Sequence, residues 1–103
     1  MPTTQDITLP DVHTDQATEF APRYRVLIHN DNVTTFEYVM KILGSIFLLS
    51  QEIAEHIAWT AHAQGVAVVI VRPAGEATKL AKAANNRARM DGYPLAFSTE
   101  PDD

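Results

Sequence analysis

The stretch HNDNVTTFEYVM, residues 29–40, decides how this chain folds. The residues before it, RYRVLIH at 23–29, alternate and include β-branched side chains, which is a strand pattern. Within the stretch, Thr34 followed three residues later by Glu37 fits a capping box, with Val33 and Tyr38 as the hydrophobic staple around it. The spacing therefore predicts a helix starting near Thr35, with Phe36, Val39, Met40, Leu43 and Phe47 on one face. Between strand and helix stand three short polar residues, Asn30, Asp31 and Asn32. Asn and Asp are common in turns because their side chains bond the local backbone. On residue type alone, that need explains the three acceptors ahead of any ligand.

Working outward, Ser50 is a second N-cap candidate. Ile53, Ala54, Ile57, Ala58 and Ala61 form the apolar stripe of a second helix, which Gly65 ends. At about 100° per residue, His62 falls at the edge of that stripe beside Ala58. The short link between the two helices predicts an αα-hairpin. VAVVIV, residues 66–71, is an apolar β-branched run between Gly65 and Pro73 and reads as a buried strand. A third helix spans about 75–90, with Ala77, Leu80, Ala81, Ala84 and Ala88 toward the core and Lys79, Lys82 and Arg87 outward. PLAFS, residues 94–98, closes the order β-α-α-β-α-β. The fold class expected is α+β: a small domain over residues 23–99 whose three-stranded sheet is covered by helices on one face.

The ends differ from this body. Residues 1–22 carry Asp6, Asp11, Asp15 and Glu19, no Lys or Arg, and three prolines, so they read as a flexible acidic extension. Residues 100–103 add an acidic end, and the six remaining acids face all eight bases. The formal net charge is -5, and there is no basic stripe with interleaved aromatics, which argues against nucleic-acid binding. No run approaches the ~20 apolar residues of a membrane span, and the start lacks the pattern of a secretory signal. The absence of cysteine suits a reducing compartment. A cytoplasmic protein is expected.

The usual catalytic motifs are missing: no Gly-rich phosphate loop, no HExxH and no nucleophile elbow. His56 and His62 are six apart and point to different helix faces, so a metal site from them is not expected. A triad of Asp31, His62 and a serine has no specific support. No catalytic residue, metal or cofactor is expected. What remains is a cluster of acceptors at a helix start, His62 on the next helix, and Phe36 and Val39 able to meet Ala58 and Ala61. Such a set makes an apolar cavity with a polar rim.

The order of small motifs resembles the ClpS family, the N-degron adaptors of the Clp AAA+ proteases. The resemblance covers about residues 23–99. It rests on "ND" after the first strand, "T-x-x-E-[FY]-V" opening the first helix, "H-x-Q-G" closing the second, and "YPL" near the end. It implies a non-catalytic protein that binds substrates by a first residue Leu, Phe, Tyr or Trp and hands them to a ClpA- or ClpC-type unfoldase. Carried onto this chain, it implies that Asn30, Asp31 and His62 hold the substrate's α-amino group. Asn32 and Thr34 lie near its first peptide groups, and Phe36, Val39, Ala58, Ala61 and Leu95 wall the side-chain pocket. Glu76 and Lys79 match the unfoldase-contacting surface across a one-residue gap, and the acidic extension matches a segment needed for delivery.

The chain departs from the family pattern at several of these positions. Phe36 stands where Met is usual, Ala58 and Ala61 where larger apolar side chains are usual, and Asn32 where a second Asp is usual. Thr35 replaces a usual Pro. Ala58 and Ala61 free space near the Cβ, so Ile and Val are expected to be tolerated as first residues beside Leu, Phe, Tyr and Trp; Phe36 shortens the depth available to a ring, so aliphatic first residues are expected to gain on aromatic ones. Two rivals stay open on the sequence: a ClpS-fold regulator that binds the unfoldase without recognising N-degrons, and a small enzyme.

Overall fold

The structure, a computed structural model, describes residues 22–103. The extension expected over residues 1–22 therefore lies, except for Pro22, outside the described residues. Three strands, β1 (Arg23–His29), β2 (Val66–Pro73) and β3 (Ala96–Pro101), form one sheet. Three helices, α1 (Phe36–Ser45), α2 (Gln51–Gln64) and α3 (Ala74–Met90), complete the order β-α-α-β-α-β. The sheet order is β2-β1-β3 and both pairings are antiparallel. The α+β architecture expected from the sequence is the one observed.

β1 sits at the centre because its alternation supplies one fully apolar face. Val26 and Ile28 are buried, while Arg25, Leu27 and His29 point to the other side. α3 lies against the sheet through Ala77, Ala81, Ala84 and Ala88, all buried and all small. Their i, i+3, i+4 spacing makes one smooth stripe that lets the helix axis approach the strands closely. Leu80 is only partly buried and packs against the rim of this core. Asn85, on α3, clamps the outer edge of β3: its Oδ1 accepts from the Phe97 N–H at 2.7 Å and its Nδ2 donates to the Phe97 carbonyl at 2.9 Å. One side chain thus satisfies both edge groups of that residue, which a free strand would leave to water.

Several local expectations need correction. The cap of α1 is Thr35, whose side chain accepts from the Tyr38 N–H at 3.1 Å; Thr34 is bonded elsewhere. The capping box through Thr34 and Glu37 does not form, and Val33 is exposed rather than stapled. The buried face of α1 is Tyr38, Ile42 and Leu43, while Phe36, Val39 and Met40 are only partly buried. Phe47 is buried but lies beyond the helix. The strand at 66–71 is not buried on both sides: Val66 and Val68 are 38% and 44% exposed on the uncovered face of the sheet. The last strand begins two residues later than expected and runs to Pro101, leaving Leu95 in the loop before it.

Other signals hold. Ser50 caps α2 by accepting from the Ile53 N–H, and Gly65 ends it at φ 88°, where only glycine sits without strain. Ile53, expected in the α2 stripe, is exposed, and Ala54, Ile57, Ala58 and Ala61 carry the contact instead. Tyr38 stacks on Tyr93 with ring centroids 4.1 Å apart and donates its hydroxyl to Asp91 at 2.6 Å, tying α1 to the end of α3. Burial first, and then the bond to Asp91, push the Tyr38 hydroxyl up to about 12. No helix among the described residues is long and apolar enough to cross a membrane.

Candidate functional site

The turn between β1 and α1 is organised by Asp31. One carboxylate oxygen, Oδ1, accepts from the Val33 N–H at 2.8 Å and the Thr34 N–H at 2.6 Å. The other, Oδ2, accepts from the Thr34 hydroxyl at 2.8 Å. Burial alone would raise the carboxyl's pKa, but the bonds from Thr34 and Val33, together with the charge of Arg89, hold it below the usual carboxylate range. The residue is therefore an anion that folds its own loop. Three of its roughly four lone-pair positions are spent on that loop, which leaves one on Oδ2.

The far side of the site comes from the end of α2. Gly65 turns the chain out of the helix, and its carbonyl accepts from the Asn30 N–H at 2.9 Å. That bond holds the β1–α1 turn beside the last turn of α2, where His62 is exposed. Residues more than thirty positions apart are thereby placed on one rim. Arg89 braces the third side: its Nη1 donates to the carbonyls of Tyr93 and Leu95, both at 2.9 Å, and fixes the loop that carries Leu95.

These elements enclose a cavity of about 400 Å³. Asn30, Asp31, Asn32 and Thr34 line it from the turn, Phe36 and Val39 from α1, and Ala58 and His62 from α2. Beneath it lies a recess of about 20 Å³ that shares Val39 and Ala58 and adds Ala61, Leu95 and Ile28. The candidate rim and pocket residues read from the sequence are thus together, with Ala61 and Leu95 one layer deeper. Glu76 and Lys79 are not part of this site. They lie exposed near the start of α3, where Glu76 pairs with Arg72 at 3.4 Å.

Sequence reasoning missed Trp59, which also lines the cavity. Its ring leans on Phe36 with centroids 5.0 Å apart and stands nearly perpendicular to the His62 ring, centroids 5.9 Å apart. The signal available was its position one residue after Ala58 and three before His62. A separate groove of about 590 Å³ lies on the other side of Phe36, between α1 and α2, so this ring partitions the two spaces. No group of three or more His, Cys, Asp or Glu among the described residues is arranged to hold a metal ion.

With this geometry in view, comparison with known proteins is direct. A family model described as ATP-dependent Clp protease adaptor protein ClpS matches residues 19–98. The chain belongs to the ClpS family. A relative in Mesorhizobium japonicum, named ATP-dependent Clp protease adapter protein ClpS 2, is 36% identical over 101 residues, covering 92% of this chain and all of its own. A ClpS adapter of Nitratidesulfovibrio vulgaris is 43% identical over 77 residues, covering 75% of this chain and 74% of its own. Among solved structures, Agrobacterium tumefaciens ClpS2 bound to L-phenylalaninamide superposes with a TM-score of 0.76 at 36% identity, covering 79% of this chain and 98% of that one. Membership of a Clp protease adaptor family thus rests on sequence and fold together.

Proposed function

We propose that this chain is a non-catalytic adaptor that captures proteins by a free α-amino group and a large hydrophobic first side chain, and delivers them to a ClpA- or ClpC-type unfoldase. The observation that carries this reading is the meeting of Asn30, Asp31 and His62 at the rim of a cavity floored by Val39 and Ala58. An α-ammonium has three N–H donors. The Asn30 carbonyl oxygen, the remaining Asp31 lone pair and a ring-nitrogen lone pair of His62 are three acceptors of the right kind. An internal residue of a folded or unfolded chain has no such ammonium, so this rim distinguishes a first residue from all others.

The energies are adequate. Bonds to a charged group contribute roughly 1.5–3 kcal/mol each, and burial of one large apolar side chain roughly 1.5–3 kcal/mol. A micromolar complex needs about 8 kcal/mol. The sum reaches that scale when the rim is preformed, and the three internal bonds of Asp31 and the Asn30–Gly65 bond are what preform it. L-phenylalaninamide, the molecule carried by the Agrobacterium relative, has the same two features: a free amine and a large apolar side chain. Family membership supports the link to a Clp unfoldase, for which Glu76 and Lys79 on α3 are the proposed contacts. Asn32 and Thr34 are proposed to face the first peptide groups.

Ala61 and Leu95 deepen the pocket once a side chain enters the recess beneath the cavity. Calorimetric titration with peptides differing only in the first residue tests the reading. Leu, Phe, Tyr and Trp are expected to bind, with Ile and Val measurable because Ala58 and Ala61 leave room at the Cβ, and first-residue Gly or Lys not to bind. Equal affinity for all first residues would overturn it.

A further inference from the structure

The cavity has two tiers. The recess at its base is reached by Asn30, Asp31, Thr34, Val39 and Ala58 but not by Asn32, Phe36, Trp59 or His62. Those four form the mouth. Trp59 is 54% exposed there, on the α2 side, while Asn32 stands on the turn side. The indole packs against Phe36 with ring centroids 5.0 Å apart and lies nearly perpendicular to the His62 ring at 5.9 Å, so it has a neighbour on each of two sides at the cavity mouth.

We infer that Trp59 is a binding residue that reads the side chain following the first residue of the substrate. The inference rests on the functional reading above, which seats the amine at Asn30, Asp31 and His62 and sends the first side chain inward toward Val39 and Ala58. The volume of about 400 Å³ leaves room beyond that side chain. The chain of the ligand must leave through the mouth, because the base is closed. An apolar second side chain leaving that way covers the exposed indole and removes apolar surface from water on both partners, whereas a glycine covers little and a carboxylate is desolvated without a partner. The class of ligand selected is therefore an N-degron with an apolar second residue.

The experiment compares peptides that share a first Phe and differ at the second residue, Leu against Gly, in the full chain and in Trp59→Ala. The wild type is expected to favour Leu about three- to tenfold, the scale of partial side-chain burial. Trp59→Ala is expected to reduce that ratio to near one. Trp59 is also the only tryptophan in the chain, so its emission offers a test without mutation. The blue shift on saturation is expected to be larger with second-residue Leu than with Gly. A ratio that persists in Trp59→Ala, an equal shift with both peptides, or a variant that binds neither peptide would overturn the assignment. Binding by the wild type with no second-residue preference overturns Trp59's role alone. Failure of the wild type to bind any free-amine peptide overturns the reading of the cavity as well.

Discussion

Asp31 has two tasks, and they separate experimentally from the single task of His62. The carboxylate closes the β1–α1 turn through three hydrogen bonds and offers its last lone pair to the cavity. Asp31→Ala is therefore expected to weaken binding of a Phe-initial peptide by roughly tenfold or more and also to lower stability by about 1–3 kcal/mol, because the turn N–H groups lose their acceptor. His62→Ala is expected to weaken binding on the same scale while leaving the thermal midpoint nearly unchanged, since the residue is exposed on the last turn of α2. Titration calorimetry and thermal melts on both variants check the contrast. The lowered pKa of Asp31 fixes the sign in acid. Its contribution to stability is present above the unfolded value of about 3.8 and is lost as pH falls through the lower folded value. Asp31→Asn should flatten that part of the acid-denaturation profile. The candidate rim was legible from residue type and order, but the internal use of Asp31 was not, because a sequence does not say which of two neighbouring threonines caps the helix. Thr35 takes the cap, which frees the Thr34 hydroxyl for Asp31.

At the scale of elements, the legible features were those with a single local cause. Ser50 before an apolar stripe and Gly65 after it mark α2 because a cap acceptor and a left-handed residue have few other uses. The face of α1 was less legible. Phe36, Val39, Met40 and Leu43 make as good a stripe as Tyr38, Ile42 and Leu43, and only the sheet and Tyr93 decide that the second set is buried. β2 read as fully buried because its outer-face residues Val66 and Val68 are also valines, although no helix among the described residues buries them. The link between α1 and α2 holds a testable strain. Leu48 has φ 57°, is 82% exposed, and is the only described residue other than glycine with a positive φ. A leucine there is held left-handed without burial to offset it. Leu48→Asn is expected to raise stability by about 0.5–1 kcal/mol with no change in peptide affinity, as chemical denaturation and a binding titration would report. A loss of stability would mean that Leu48 makes a contact that its exposure conceals.

For the whole molecule, the proposed division of labour is spatial. The cavity is built from residues 30–62 with Leu95 beneath it, while Glu76 and Lys79 stand on α3, outside it. Among the described residues, the lining of the cavity and its recess falls within 28–62 and at Leu95. Deleting residues 1–20 is therefore expected to change peptide affinity less than twofold and to impair degradation of a Phe-initial substrate by the cognate unfoldase and protease. Full delivery by the truncated chain would remove the extension from the mechanism. The central claim is that the rim recognises an ammonium. It is tested most directly by titrating the full chain with a fluorescent peptide beginning Phe or Leu and with its N-acetylated twin. Acetylation removes the charge and two donors and leaves the side chain intact, so the account predicts binding of the free peptide and at least a hundredfold loss for the twin, the scale of two charged hydrogen bonds. Comparable affinity for both peptides would contradict it.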